Sequence, residues 1–274
     1  MNRLRQIFDA AGTRRPGLLP YVTAGHPDAM TTIAILRGMD PTCCLCAEVG
    51  IPFSDPIADG PVIQASFSRA LASGFKLDAF WAALRERRDQ IAVPLLAMVS
   101  YSIVYRRGTR AFVQSARDAG FDGLIVPDLA LEEADELAEL GRAADCPLVM
   151  MVAPTSDERR QHRIAALSEP FIYCQSVAGV TGERAGLPPD LAERVRRLRA
   201  ESGKPVCVGF GIASAEQVAA VCSVADGAIV GSALVRRITE SVDRGDAPAQ
   251  IVAHVSTALM QLAAGCPAAQ AGPA

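Results

Sequence analysis

Three carboxylates crowd one stretch of the chain, Glu48 to Pro61, which reads Glu-Val-Gly-Ile-Pro-Phe-Ser-Asp-Pro-Ile-Ala-Asp-Gly-Pro. Carboxylates in unlike surroundings can divide proton donation and proton acceptance, so general acid and base chemistry is the first possibility. An apolar run, Cys44-Leu45-Cys46-Ala47, leads into Glu48, as expected for a strand opening onto a stiff loop. Strand alternation puts Glu48 on one face with Cys46 and Cys44, so its carboxylate ends an apolar row and its pKa should rise toward neutrality. Asp59 comes eleven residues later, beyond Pro52 and Pro56, where a rigid loop could fold it back over the strand end. Taken singly, Asp55 and Asp59 are equally ordinary turn residues, since Asp-Pro and Asp-Gly are common turn chemistry.

Strand and helix patterns alternate along the rest of the chain. Strands are expected at Leu18 to Thr23, Leu45 to Val49, Leu95 to Ser100, Gly123 to Val126, Leu148 to Val152, Phe171 to Gln175, Val206 to Gly209 and Gly227 to Val230. Helical sequence fills the gaps, and residues 3–12 are expected to form an amphipathic helix ahead of the first strand. Eight such units argue for a single α/β domain, a closed (β/α)8 TIM barrel over residues 1–267 with an extra N-terminal helix. A doubly wound open sheet is the runner-up, but no Gly-x-Gly-x-x-Gly opens a helix after the first strand. Functional groups then belong at strand C-terminal ends. Residues 268–274 should be a frayed tail.

Half of the 274 residues are hydrophobic and the net charge is −3, which suits a large core and offers no electrostatic case for nucleic acid or an acidic membrane. No apolar run approaches the roughly 20 residues needed to span a bilayer, and the start lacks a signal-peptide core, so a cytoplasmic enzyme is expected. The eight cysteines are scattered. Cys43 and Cys46 make a C-x-x-C with no second pair, and buried thiols acting as small hydrophobes are the expected use. Arginine-rich runs at Arg85 to Arg88, Arg159-Arg160 and Arg194 to Arg199 read as solvated helix faces.

Glycines cluster late, in Ala178-Gly179-Val180-Thr181-Gly182, Gly209-Phe210-Gly211-Ile212 and Gly231-Ser232-Ala233. Any one could be a turn former. Placed together after consecutive late strands, with a helix start, Gly211, Gly231 and Ser232 suit a phosphate site. Carbon–carbon cleavage of a phosphorylated substrate needs an electron sink. A Schiff base would need a lysine, and the chain has only Lys76, between helices, and Lys204, at the N-terminal face. Of three histidines only His26 is near a strand C-terminal end, too few for a metal site. No cofactor or metal is therefore expected, and the substrate itself must take the electrons.

The Glu48 to Pro61 stretch resembles the signature of the tryptophan synthase alpha subunit family, Glu-x-Gly-x-Pro-Phe-Ser-Asp-Pro-x-Ala-Asp-Gly-Pro, at every fixed position. The late glycine segments, Pro20-Tyr21-Val22-Thr23 and Val126-Pro127-Asp128-Leu129 extend the likeness from about residue 3 to about 260. The resemblance implies retro-aldol cleavage of indole-3-glycerol phosphate to indole and glyceraldehyde 3-phosphate, with the indole ring as electron sink. It implies that Glu48 moves protons at indole C3 and the glycerol hydroxyl, that Asp59 accepts the indole N–H, and that Tyr173 orients Glu48. Substrate-binding positions implied are Tyr21, Ser100, Thr181, Gly182, Phe210, Gly211, Gly231 and Ser232, with residues 179–189 long enough for a lid. It also implies a pyridoxal-phosphate-dependent beta subunit as partner.

Departures from the pattern gather elsewhere. Ser100 and Ser102 stand where the family has Tyr and Asn, Leu129-Ala130-Leu131 thins a proline-rich segment, Val177 replaces an arginine, and Pro41-Thr42-Cys43-Cys44 replaces Gly-Ala-Asp. These leave the carboxylate pair intact and fall toward the partner side. An active lyase, a catalytically weak alpha-like subunit that activates a beta-type partner, and a barrel isomerase of another sugar phosphate all remain open on this reading.

Overall fold

The computed structural model describes residues 2–9, 16–176, 187–209 and 211–267. Nine strand segments appear in it: β1 Gly17–Thr23, β2 Ala47–Gly50, β3 Leu95–Met98, β4 Gly123–Ile125, β5 Leu148–Val149, β6 Met151–Val152, β7 Ile172–Gln175, β8 Val206–Gly209 and β9 Gly227–Val230. Their order is β5-β4-β3-β2-β1-β9-β8-β7-β6, and neighbours pair in parallel. β5 and β6 are the halves of one expected strand, Leu148 to Val152, broken at Met150. Its amide donates to Ser168 Oγ at 2.8 Å instead of to a neighbouring strand. One half pairs with β4 and the other with β7, so the chain itself closes the ring into an eight-membered barrel.

Side-chain alternation separates two layers of core. Leu19, Cys46, Leu96, Ile125, Val149, Phe171, Tyr173, Cys207 and Ile229 fill the barrel, whereas Val22, Val49, Ala97, Leu124 and Val208 face the surrounding helices. The N-terminal helix, Arg3–Asp9, plugs the lower mouth. Its Leu4 and Phe8 join the interior cluster, Phe8 stacks on Phe171 with ring centroids 4.5 Å apart, and Asn2 Nδ2 donates to the Asp122 and Asp145 carbonyls. With that end closed, the opposite mouth is left for chemistry.

Helix starts follow local capping chemistry. Asp28 accepts from Thr31 N at the head of helix Ala29–Arg37, Asp157 does so from Arg160 N before Glu158–Leu167, and Ser214 forms a capping box with Gln217. Pro61 sits in the first turn of Pro61–Ala72, where its missing N–H costs nothing.

The expected alternation fails at Cys44. It bridges to Leu18 outside the regular strand and packs in the outer core, while Leu45 and Cys46 both turn inward, because the chain bends at Leu45 before β2 begins. Glu48 therefore shares its face with Cys46 but not with Cys44.

Within the arginine runs Arg85, Arg159, Arg160, Arg196 and Arg197 are exposed as expected, whereas Arg88 and Arg194 keep little side-chain exposure. Arg88 donates to the Gly120 carbonyl at 2.7 Å and to Asp122 Oδ2 at 2.7 Å, and that same oxygen accepts from Leu95 N at 2.9 Å. Half a barrel away, Arg199 donates to the Val224 carbonyl at 3.2 Å and to Asp226 Oδ2 at 2.8 Å, which accepts from Val206 N at 2.8 Å. Each aspartate precedes one strand and holds the first amide of its neighbour, a repeat of interactions that the sequence does not announce. Arg194 also turns inward, donating to the Gln175 carbonyl at 2.8 Å. Guanidinium groups carry enough donors to bind backbone oxygen and carboxylate together, which lets Arg88 and Arg194 give up most of their exposure while Arg199 stays partly solvated.

Candidate active site

The upper mouth of the barrel opens into a cavity of about 460 Å³ lined by Tyr21, Glu48, Asp59, Tyr173, Gly211, Gly231 and Ser232. Seven expected site residues thus converge from β1, β2, the loop after β2, β7, and the segments after β8 and β9. Thr181, Gly182 and Phe210, together with Val177, residues 179–186 of the expected lid and the 268–274 tail, lie outside the described residues.

Register does the first part of the assembly. Tyr21 pairs with Glu48 across β1 and β2, and Glu48 with Leu96 across β2 and β3, so the phenol and the carboxylate stand side by side above the apolar barrel filling. Glu48 is 1% exposed and its Oε1 finds no hydrogen-bond partner among the described residues. Burial alone pushes its pKa from 4.5 up to about 8. Tyr21 and Tyr173 are held well above the ordinary phenol value, by burial first and then by nearby carboxylates, so both remain protonated donors. The Tyr21 hydroxyl is also without a partner among the described residues. An orphaned acid and an orphaned phenol on one cavity wall mark a place built for a ligand.

The loop after β2 supplies Asp59. Its amide donates to the Pro56 carbonyl at 3.1 Å, and Gln64 Nε2 donates to the Pro56 and Asp59 carbonyls at 3.1 and 2.9 Å, tying the loop to helix Pro61–Ala72. Asp59 is less deeply buried than Glu48. Its pKa rises from 3.8 to about 6, through burial first and the charge of Asp128 second. Between about pH 6 and about pH 8, then, the cavity holds a neutral carboxylic acid and an ionised carboxylate together.

Glycines clear the walls. A Cβ on Gly50 would lie 1.8 Å from the Tyr21 hydroxyl, and one on Gly209 would lie 2.5 Å from the Tyr173 hydroxyl, so both phenols cross space that no side chain can share. Gly211 has φ of +65°, a left-handed backbone that favours glycine. Helix Ser232–Asp243 begins at the cavity with Gly231 at its N-cap and no side-chain cap among the described residues. Its first-turn N–H groups and the partial positive charge of the helix end suit a phosphate.

Ser100 does not join this cavity. β3 ends at Met98, and Ser100 instead caps helix Tyr101–Arg107. Its hydroxyl donates to Asp128 Oδ2 at 2.6 Å, while Asp128 Oδ1 accepts from Tyr101 N at 2.7 Å. It lines a second cavity of about 370 Å³, which shares Asp59 and Met98 with the first. Four lining residues escaped the sequence reading: Ile63, Met98, Gly209 and Ile229. Met98 and Ile229 were within reach, since each lies two positions beyond an inward-facing strand residue, Leu96 and Gly227. Ile63 was not, because its direction depends on how the helix after Pro61 lands.

Lys204 binds the Ala165 and Ser168 carbonyls at 2.6 and 2.7 Å, away from the cavity. His26 is buried against Thr239 Oγ1 at 2.9 Å, and burial lowers its pKa to about 4. Six of the eight cysteines are buried and none of the eight is in a disulfide. Among the described residues no group of three His, Cys, Asp or Glu side chains is placed to hold a metal ion.

A family model described as tryptophan synthase alpha chain matches residues 8–265. The tryptophan synthase alpha chain of Rhodopirellula baltica is 45% identical over 248 residues, 89% of each chain. That of Synechocystis is 42% identical over 242 residues, 88% of this chain and 92% of its own. Among solved structures, Mycobacterium tuberculosis tryptophan synthase superposes with a TM-score of 0.84 at 33% identity, covering 96% of this chain and 98% of that one. A chain of the tryptophan synthase a2b2 complex of Pyrococcus furiosus gives 0.81 at 33% identity, covering 91% and 98%.

Proposed function

The chain belongs to the tryptophan synthase alpha chain family, and from that premise we propose how its residues carry out the lyase reaction of tryptophan biosynthesis, cleavage of indole-3-glycerol phosphate to indole and glyceraldehyde 3-phosphate. Glu48, protonated near neutral pH, gives its proton to indole C3. The ring becomes a cation whose N–H faces ionised Asp59, a counter-charge set in advance where charge develops. The Glu48 carboxylate then takes the proton of the glycerol hydroxyl next to the ring. That oxygen's electron pair forms the aldehyde C=O, the bond to C3 breaks, and its electrons return to the ring as neutral indole. Glu48 ends protonated as it began, so no group outside substrate and protein is consumed.

Tyr21 and Tyr173 bound the ring, and their raised pKa values keep them neutral beside two acids. Gly211, Gly231 and Ser232 hold the phosphate. Thr181, Gly182 and Phe210 remain proposed substrate contacts from the motif alone. The observation that carries the mechanism is the pairing of Glu48, with a pKa near 8, and Asp59, near 6, in one cavity. It favours an active lyase over a weak activator, which would have no need of that pair.

The reading includes a tryptophan synthase beta subunit as partner. Ile57, 83% exposed on the loop beside Asp59, and Tyr105, 73% exposed on the helix after Ser100, offer apolar surface at the same end of the barrel. One barrel domain over residues 1–267 and work in the cytoplasm, as suits an amino-acid biosynthetic family, belong to the same proposal. The test is indole release from indole-3-glycerol phosphate by the purified chain, with and without a beta subunit. Turnover by the chain, raised by the partner and abolished in Glu48→Gln, is expected. No indole under either condition refutes the assignment.

A further inference from the structure

The second cavity, beyond Asp59 and Met98, has no part in the mechanism above. It is open to solvent, and its walls are mostly apolar, including Phe53, Ile57 and Pro127. Ser100 is part of its wall. The serine hydroxyl turns aside to Asp128, and both Asp128 oxygens are already engaged, so the polar groups at this wall are satisfied without a ligand. The cavity adjoins the catalytic one, and the two share the side chains of Asp59 and Met98, the latter a flexible methionine.

The reading of Asp59 as acceptor of the indole N–H fixes which part of the ring faces this space. With C3 at Glu48 and N1 at Asp59, C4 lies toward Glu48 and the C6–C7 edge lies beside the nitrogen, next to Asp59. We propose that the second cavity is a specificity pocket for substituents on the C6–C7 edge of the indole ring, kept open by Ser100, so that the enzyme accepts ring-substituted indole-3-glycerol phosphates as well as the parent compound. This inference rests on the proposed placement of the ring, and its test is made by binding so that it does not depend on turnover.

The probe is 3-(indol-3-yl)propyl phosphate, which has no hydroxyl to cleave, with its 6-methyl and 4-methyl forms, titrated by calorimetry against the full chain. For the natural sequence the 6-methyl compound should bind within threefold of the parent. Ser100→Tyr, which fills the pocket, should weaken 6-methyl binding relative to the parent by about tenfold or more, the scale on which a pocket rejects a methyl group it cannot house. The 4-methyl ratio should be the same in both proteins. Ser100→Ala removes the hydroxyl without filling space and should keep the natural 6-methyl ratio, and Ala58→Leu narrows the pocket from the opposite wall should Ser100→Tyr not fold. Equal 6-methyl ratios in natural and filled proteins overturn the inference, as does a tenfold loss for 6-methyl in the natural protein or an equal loss in Ser100→Ala. Indole release from the parent substrate, measured alongside, reports separately on the lyase assignment.

Discussion

Replacing Glu48 by glutamine should remove the activity and make the fold more stable relative to the natural chain as the pH rises. The carboxyl is buried and its pKa stands at about 8 against 4.5 when unburied. That difference corresponds to about 5 kcal/mol of preference for the neutral form in the folded chain. Because the folded pKa lies above the unfolded one, the folded protein holds the extra proton between about pH 4.5 and about pH 8. The stability this lends is present below pH 4.5, falls by about 1.4 kcal/mol per pH unit through the window, and is gone above pH 8. Glutamine carries no such proton. The stability of Glu48→Gln relative to the natural chain should therefore grow by about 4 kcal/mol between pH 5 and pH 8.5, whatever its value at pH 5. All other titrating groups are common to both proteins and cancel. Urea unfolding at the two pH values measures the difference through the midpoints and slopes. Indole release should fall by about 10²–10⁴-fold, the scale of a lost general acid and base. Parallel pH dependence in the two proteins would refute the claim that Glu48 is an acid kept neutral by burial.

Asp59→Asn should lower kcat/KM by about 10²–10³-fold, the cost of a missing preorganised charge, and abolish the acid limb near pH 6 while leaving the basic limb near pH 8 in the rate profile. Gly209→Ala puts a methyl against the Tyr173 ring and should cost about 1–3 kcal/mol of stability and raise KM, both read from the same preparation by unfolding and steady-state kinetics. Asp122→Ala leaves Arg88 and the Leu95 amide buried without their acceptor. It should destabilise by about 3–5 kcal/mol with kcat per folded molecule unchanged, since the pair sits at the closed end of the barrel.

Much of this was open to inspection in the residue order. A strand end, a proline-stiffened loop and late glycines are local features, so Glu48, Asp59, Gly211, Gly231 and Ser232 could be named from them, and the βα alternation made the barrel the natural container. Two readings failed for one reason. Cys44 was assigned to the inner face and Arg88 to solvent because regular periodicity was carried past the points where the backbone departs from it. The bend at Leu45 and the turn before Ile91 are local departures whose consequences depend on neighbouring strands.

By itself the residue order determined which groups could act, since side-chain type and spacing along a strand are properties of the chain. Only the tertiary structure decided their protonation and company. Burial, the absence among the described residues of a partner for Glu48 Oε1, and the charge of Asp128 near Asp59 arise from strands and loops far apart in sequence. A carboxyl's pKa is set by the solvent and charges around it, and those exist only once the barrel has closed.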